Sequence, residues 1–496
     1  RQRGTLLRRV SDMTILGRRI PAAVFILAVA LLARCAAMCL LPLTDPTEGR
    51  YAQVSQEMVA TGDWVTPRIW MNETHLPFMG KPPLFFWFAA GAMKLFGVNE
   101  FAARLPSLAA ALLLLALLYI VLDRYGCGSG LAGVLITASC GFFFAVSGVV
   151  AVDMLLSACV AGSLLAFFAF ACEPSRRIRQ RWSLLVFFLL AMGFLTKGPV
   201  AIVLFGLPVL AWTVRWRQWT LLRSHRWVSG ILLFLALVVP WFVLCEARNP
   251  GFLKYFFLNE NLLRFVTHDY GDAYGSGHLY PRGSALLMFL AASAPWSLFA
   301  LWQVARSRSA ARILTLADRQ ESFLFLGFAA GTLFWCFARQ LLATYTLPLV
   351  PLFAAWLAFR IRHDSALTRK TVAAASVLLA VMGALALACP LALRETASSR
   401  QIVRAARRFA DEQAFKGPLV FARKTPYSAL FYARGWVLPH PKEPLGDTLA
   451  RCREHAETVL VAVPAKQEGA VVLSLSNSAA RVASTGKWSL LRVALR

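Results

Sequence analysis

Residues 154–172 read MLLSACVAGSLLAFFAFAC, without one charged side chain, and residues 173–181 read EPSRRIRQR. The first stretch has the roughly 20 apolar residues that a helix needs to cross the hydrocarbon of a bilayer. The second is a short loop rich in arginine. An apolar run closed by a cationic loop is the pattern of a membrane span and its cytoplasmic flank. The same pairing recurs along the chain, so the fold is expected to be an all-α polytopic membrane protein.

Composition agrees with that reading. The 496 residues are 58% hydrophobic and only 16% charged, with a mean hydropathy of +0.59, whereas soluble domains carry about 25% charged residues. Fifteen Trp and thirty-six Phe suit an apolar solvent with aromatic edges. The net charge of +27 would fit a nucleic-acid partner, but the cations sit in clusters between apolar runs, and that placement argues against nucleic acid. Most of the ten cysteines lie inside apolar runs, without zinc-type spacing, so no disulfide framework is expected.

About eleven spans are expected, with a range of 11–13. They cover roughly 20–41, 104–122, 131–149, 154–172, 182–195, 199–214, 227–245, 283–304, 321–336, 342–359 and 371–393. The first follows a basic stretch like that of a signal peptide, but its apolar part is too long for one. It reads as a retained helix with a cytoplasmic N-terminus. The loops near 123–130, 173–181, 215–226, 305–320 and 360–370 hold most of the arginines. The opposing loops hold most of the acids, among them Asp45, Glu48, Glu57, Asp153 and Glu260. This bias puts the loops 42–103 and 246–282 outside. Residues 394–496 change character: a helical pattern at 401–412 and short strands at 418–422, 458–463 and 489–495 predict a small α/β domain on the outer side. The domain plan is therefore a membrane part at 1–393 and an outer part at 394–496.

The first outer loop carries the densest chemistry. It runs Asp45-Pro-Thr-Glu48-Gly-Arg50-Tyr51, then Gly62-Asp63-Trp64, then Lys81-Pro82-Pro83-Leu84. Asp45 stands where the first span ends, at the height where a lipid-borne substrate arrives; as an Asp before Pro it also suits a helix cap. Residues 49–60 have helical spacing and are expected to lie along the membrane surface. Asp153 stands in a short link at the outer end of an apolar run, a costly place for a carboxylate without a partner or a task. Lys197, in the turn between the fifth and sixth runs, is a possible partner, but it reads first as a snorkelling cation.

Those three pieces of the first loop resemble the first outer loop of the bacterial aminoarabinose transferase family, type C glycosyltransferases related to protein O-mannosyltransferases. Glu260-Asn261…Arg264-Phe265, with His278…Pro281, is similar to the family's middle outer loop. Arg339…Tyr345-Thr-Leu-Pro348…Pro351 is similar to a further family segment. The resemblance covers about residues 20–360 and leaves the tail unmatched. It implies transfer of a sugar from undecaprenyl phosphate, outside the membrane, to an acceptor such as a lipid A phosphate. A less anionic surface and resistance to polymyxin-like peptides would follow. The partners implied are the lipid-linked donor, lipid A or another periplasmic acceptor, and membrane lipids.

The resemblance also suggests roles. Lys81 and Tyr345 are expected to hold the donor phosphate, with Arg50, Arg264 and Arg282 as further cations, because a departing phosphate needs fixed positive charge. Asp45 and Asp153 are expected with Lys81 in the catalytic group, and Glu48 and Tyr51 against the substrate. A phosphate acceptor, already ionised with a second pKa of about 6, hardly needs Asp45 as a base; a hydroxyl acceptor does. Without an enzyme nucleophile the transfer inverts the anomeric carbon.

The family binds a divalent ion through an acid before Lys-Pro-Pro and a middle-loop His. Here Gly80 replaces the acid, leaving His278 as the candidate ligand for Zn or Mg, with Glu73 and His75 as substitutes. A protein or glycan acceptor fits the same loop pattern. A lipid transporter is the reading from another class; it would call for charges at midmembrane and an internal repeat, and neither is visible.

Overall fold

The computed structural model describes residues 12–15, 18–71, 74–267, 269–271, 273–274, 278–306, 318–392, 398–438, 444–454, 456–475 and 479–495. The chain divides into two compact units. One comprises residues 1–38, 79–85 and 104–388, and the other residues 39–78, 86–103 and 389–496.

The elements follow in chain order. Helix α1 is Ala22–Leu40, α2 Thr47–Thr61, strands β1 Arg68–Met71 and β2 Thr74–Pro77, then α3 Leu84–Phe96 and α4 Glu100–Tyr125. Next come α5 Gly130–Ala138, α6 Gly141–Val146, α7 Val152–Cys172, α8 Arg176–Lys197, α9 Val200–Trp216 and α10 Trp227–Arg248. A π-helical segment, Tyr255–Leu263, precedes α11 Ser284–Ala292, α12 Trp296–Arg306 and α13 Arg319–Cys336. A 3-10 turn at Ala343–Leu349 leads into α14 Val350–Ile361, followed by α15 Ser365–Ala392. The C-terminal part is α16 Arg400–Glu412, β3 Leu419–Phe421, α17 Tyr427–Ala433, α18 Leu445–Cys452, β4 Thr458–Pro464, α19 Glu468–Ser474, β5 Ala479–Ser484 and β6 Trp488–Ala494.

Among the described residues seven helices are long and apolar enough to cross a membrane, and eight if the bent pair α11–α12 counts as one span. This is a multi-span membrane protein. Shorter apolar helices, α3 and α9, accompany them. Two runs read as continuous in the sequence are broken. The run 283–304 turns through 106° between α11 and α12, where Pro295 lacks the N–H that would continue the helix. The run 131–149 divides into α5 and α6 around Ser139 and Cys140.

In the first unit α7 is almost wholly buried, whereas the exposed faces of α1, α10 and α15 are apolar. Small residues explain the centre. Ser157, Ala161, Gly162 and Ser163 line α7, and small side chains let membrane helices approach closely. A Cβ on Gly162 would meet Leu189 of α8 at 3.2 Å. Ser157 Oγ donates to the Leu347 carbonyl at 3.2 Å, tying α7 to the 3-10 turn. Pro348 lies in that turn and Pro351 in the first turn of α14, and neither has the N–H that regular α-helical pairing would use. Asp153, read as lying in a link, sits in the first turn of α7.

In the second unit four strands form a sheet of order β3-β4-β6-β5. The β3–β4 pair is parallel; β4–β6 and β5–β6 are antiparallel. The sequence pattern finds β3, β4 and β6, whose central residues are buried, and misses β5, in which no residue is fully buried. Helix α16 lays Ile402, Val403 and Ala406 into the core against Leu419, Phe421 and Leu460. Helix α2 differs from its expected place along a membrane surface: residues 48–56 are all buried, and the helix packs on α17.

Candidate active site

The first unit holds a cavity of about 210 Å³. Its polar side is built by Lys81, Lys197, Glu260, Arg264, Gln340 and Tyr345, and its apolar side by Val200, Val203, Phe256, Phe334 and Trp335. Pro82 and Pro83 end the outer loop and α3 begins at Leu84, so Lys81 is held at a fixed corner. The Lys81 ammonium donates to the Gly80 carbonyl at 2.6 Å and to Glu260 Oε2 at 3.0 Å. Arg264 reaches the same oxygen at 2.8 Å. Glu260 is 7% exposed and Arg264 9%. Burial works against ionisation of Glu260, but the charges of Lys81 and Arg264 outweigh it and hold the carboxyl below its ordinary range.

A second pair lies in the same unit. Lys197 bonds Asp153 Oδ1, and its ammonium stands 3.6 Å above the Tyr345 ring. Lys197 is 9% exposed; it does not snorkel but is buried against its carboxylate. Tyr345 packs on Trp335, ring centres 4.9 Å apart. Three cations, Lys81, Lys197 and Arg264, thus meet two carboxylates, Glu260 and Asp153. The surplus positive charge beside a phenol suits an anion. Of the expected site residues, the structure brings together Lys81, Arg264 and Tyr345 on this cavity, with Asp153 bound to a lining lysine. Glu260, Lys197 and Gln340 join them without having been singled out as site residues. The Glu260–Arg264 spacing of four was the available signal.

Arg282 is exposed and does not line the cavity. His278 is exposed as well; its backbone N–H donates to Gln340 Oε1 at 2.6 Å, and its carbonyl accepts from Leu341. Glu73 lies outside the described residues. His75 contacts Glu57 at 3.0 Å and stacks on Trp70. No group of three His, Cys, Asp or Glu suited to a metal occurs among the described residues. Gly80 stands where the family has an acid before Lys-Pro-Pro.

The remaining candidates belong to the second unit. Asp45 Oδ1 accepts the Ser428 N–H at 2.9 Å, and Oδ2 accepts the Ser428 hydroxyl. Ser428 is in the first turn of α17, whose own preceding residue, Pro426, offers no side-chain cap. Burial pushes the Asp45 carboxyl above its ordinary value, an effect the Ser428 bonds only partly offset. Gly49 is required beside them, because a Cβ there would stand 2.7 Å from Ser428 N and 2.8 Å from Asp45 Oδ1. Glu48 turns back to accept from Thr44 N at 3.0 Å and Thr44 Oγ1 at 2.9 Å. Tyr51 packs edge-on against Phe78 and Phe86. Arg50 is 8% exposed, lies 5.2 Å from the Tyr51 ring centre, and pairs with no carboxylate of a described residue.

Known proteins resemble this chain in sequence and in fold. Residues 80–243 match the model of the dolichyl-phosphate-mannose-protein mannosyltransferase family. An undecaprenyl phosphate-alpha-4-amino-4-deoxy-L-arabinose arabinosyl transferase of Pseudomonas aeruginosa is 32% identical over 327 residues, 63% of this chain and 56% of that protein. Over that span the chain is similar in sequence to the bacterial aminoarabinose transferases. The counterpart from Aeromonas salmonicida is 30% identical over 258 residues, 51% of this chain and 45% of that one. The chain thus spans about half the length of the curated aminoarabinose transferases it matches. The fold is shared more widely. The crystal structure of ArnT from Cupriavidus metallidurans bound to undecaprenyl phosphate superposes with a TM-score of 0.73 at 21% identity, covering 95% of this chain and 97% of that one. The archaeal oligosaccharyltransferase AglB of Archaeoglobus fulgidus, at 11% identity, has a TM-score of 0.51 over 94% of this chain and 74% of its own.

Proposed function

We propose that this chain is a membrane glycosyltransferase that moves a sugar, of the aminoarabinose type, from undecaprenyl phosphate to a phosphate of lipid A. The observation that carries the reading is the shared carboxylate of Lys81 and Arg264, at the wall of a cavity with one apolar side and a surplus of positive charge. A polyprenyl phosphate has the matching chemistry: a hydrocarbon tail and an anionic head. The likeness to a transferase solved with undecaprenyl phosphate supports it.

In this reading Lys81, Arg264 and Tyr345 hold the donor phosphate. As the bond to the anomeric carbon breaks, negative charge grows on the leaving oxygen, and Lys81 turns from Glu260 toward it. Fixed charges in a partly dry site stabilise such a transition state without reorganisation. Asp153, held by Lys197, faces the sugar or its acceptor. An acceptor phosphate attacks without a base, and the anomeric centre inverts. Asp45 positions structure through Ser428. The cationic loops face the cytoplasm, the cavity faces the periplasm, and the protein resides in the bacterial inner membrane. Residues 394–496 form the periplasmic α/β part. A protein or glycan acceptor is the second reading, favoured by the mannosyltransferase match at 80–243.

Mass spectrometry of lipid A from cells with the protein, without it, and with Lys81→Ala tests the proposal. A sugar-sized gain on lipid A that requires the protein and Lys81 is expected. Unchanged lipid A with the inserted protein present would overturn the acceptor assignment.

A further inference from the structure

The second unit contains a larger cavity, about 480 Å³, built entirely from its own residues. Glu57, Trp70, Leu430 and Trp436 define it, with Pro418, Gly435, Val437 and Leu438 completing the wall. None of the residues that line the Lys81 cavity lines this one. Its size falls within the roughly 300–1,000 Å³ of small-molecule sites.

Both indoles are pinned. Trp70 Nε1 donates to Glu57 Oε1 at 3.1 Å, and Trp436 Nε1 donates to the Gly417 carbonyl at 3.1 Å. Each ring is half-buried, so with its N–H committed it offers the cavity a rigid apolar surface. Glu57 is pinned too: Gln53 Nε2 donates to Oε1 at 3.2 Å, and His75 Nε2 lies 3.0 Å from Oε2. A carboxylate has about four lone-pair positions; Trp70 and Gln53 take two, both on Oε1, so Oε2 is left to accept from a ligand. The His75 ring stacks on Trp70, and the Arg407 guanidinium lies 5.9 Å from the Trp436 ring centre, so the Trp436 indole already has a cation beside it.

What remains is two flat apolar surfaces and one hydrogen-bond acceptor. That set matches a neutral pyranose, which has an apolar C–H face and a rim of hydroxyl donors. We propose that this cavity is a saccharide-binding site for one or two pyranose rings, separate from the Lys81 cavity. The inference goes beyond sugar transfer and stands without it.

The test is calorimetric titration of the purified full-length protein in detergent with glucose, galactose and N-acetylglucosamine as probes, and glycerol as the ringless control. At least one pyranose should bind saturably with a Kd of about 1 mM, an ordinary affinity for so small a contact. Glycerol should not bind. Glu57→Gln should weaken binding about tenfold, and Leu430→Trp, which fills the cavity, should abolish it. Lys81→Ala should leave binding intact, which separates this site from the proposed donor site. Melting curves of each variant identify those that fold. Absence of saturable binding by every pyranose would overturn the proposal, as would binding unaltered in folded Glu57→Gln or lost in folded Lys81→Ala.

Discussion

Asp45 caps helix α17 from 383 residues away: its carboxylate accepts both the backbone N–H and the hydroxyl of Ser428. A cap satisfies N–H groups that a helix start leaves without partners. Further bonds join the same segments. Leu43 N donates to Tyr432 Oη at 2.7 Å, and Gln56 Nε2 donates to the Phe431 carbonyl at 3.3 Å. The resemblance that gives Asp45 its expected role leaves the tail unmatched. The bonds argue that the two act as one structure. Ser428→Ala should therefore lower stability by about 1 kcal/mol and lower transfer in parallel with Asp45→Asn. Deleting 394–496 should cost as much transfer as Asp45→Asn does. Full activity in either tail variant, measured in membranes at matched expression, would show that Asp45 works alone.

Gly49 offers a separate test of that junction. An added methyl would press on Ser428 N and on the Asp45 carboxylate at once. Gly49→Ala should destabilise by about 1–3 kcal/mol, the usual cost of overpacking, although alanine is the better helix former. A melting point at or above that of the parent would mean that the contact relaxes freely.

How much of this was legible in the sequence depends on how local each signal is. Helix α7 and its basic loop could be read because hydropathy and charge are carried by adjacent residues. Lys81 and Tyr345 could be read because short motifs surround them. The Pro295 break was hidden by uniform hydropathy on both sides of it. The Lys197–Asp153 bond, open in the sequence beside a snorkelling role for Lys197, joins residues 44 apart, and Asp45 with Ser428 is more distant still. No periodicity reports such pairings, because each residue satisfies its local role equally well without them.

Lys81 and Arg264 share Glu260 at 3.0 and 2.8 Å. Removing the carboxylate leaves two neighbouring cations without their common partner, and breaking a buried pair costs about 3–5 kcal/mol. Glu260→Gln should show that loss as a lower melting point. Because folding holds the Glu260 carboxyl below its ordinary value, its contribution is present above the unfolded pKa and is lost as pH falls through the folded one. The parent should therefore lose stability as the pH is lowered past about 4.3, and Glu260→Gln should lose less over the same range. Identical acid profiles would remove Glu260 from the account.

Lys81 itself is asked to stabilise the leaving phosphate. Lys81→Ala should lower kcat by about 10²–10³, the range for loss of one transition-state donor, while Glu260 keeps Arg264 as its partner and the fold persists. The assay is sugar release from a synthetic polyprenyl-phosphate donor by protein in nanodiscs. A rise in KM with unchanged kcat would instead make Lys81 a ground-state anchor.

The Lys197–Asp153 pair separates positioning from structure. Lys197 is bound to Asp153 on one side and lies over Tyr345 on the other. Lys197→Met leaves Asp153 buried and unpaired, so its stability loss should exceed that of Lys197→Met combined with Asp153→Leu. The coupling should be about 0.5–3 kcal/mol, as for residues in contact. Transfer should behave otherwise. If Asp153 faces the sugar, the double variant recovers stability but not activity, because the carboxylate is gone in both. A double variant that regains transfer along with its melting point would make the pair a structural ion bridge, and would move the sugar contact to other residues of the cavity.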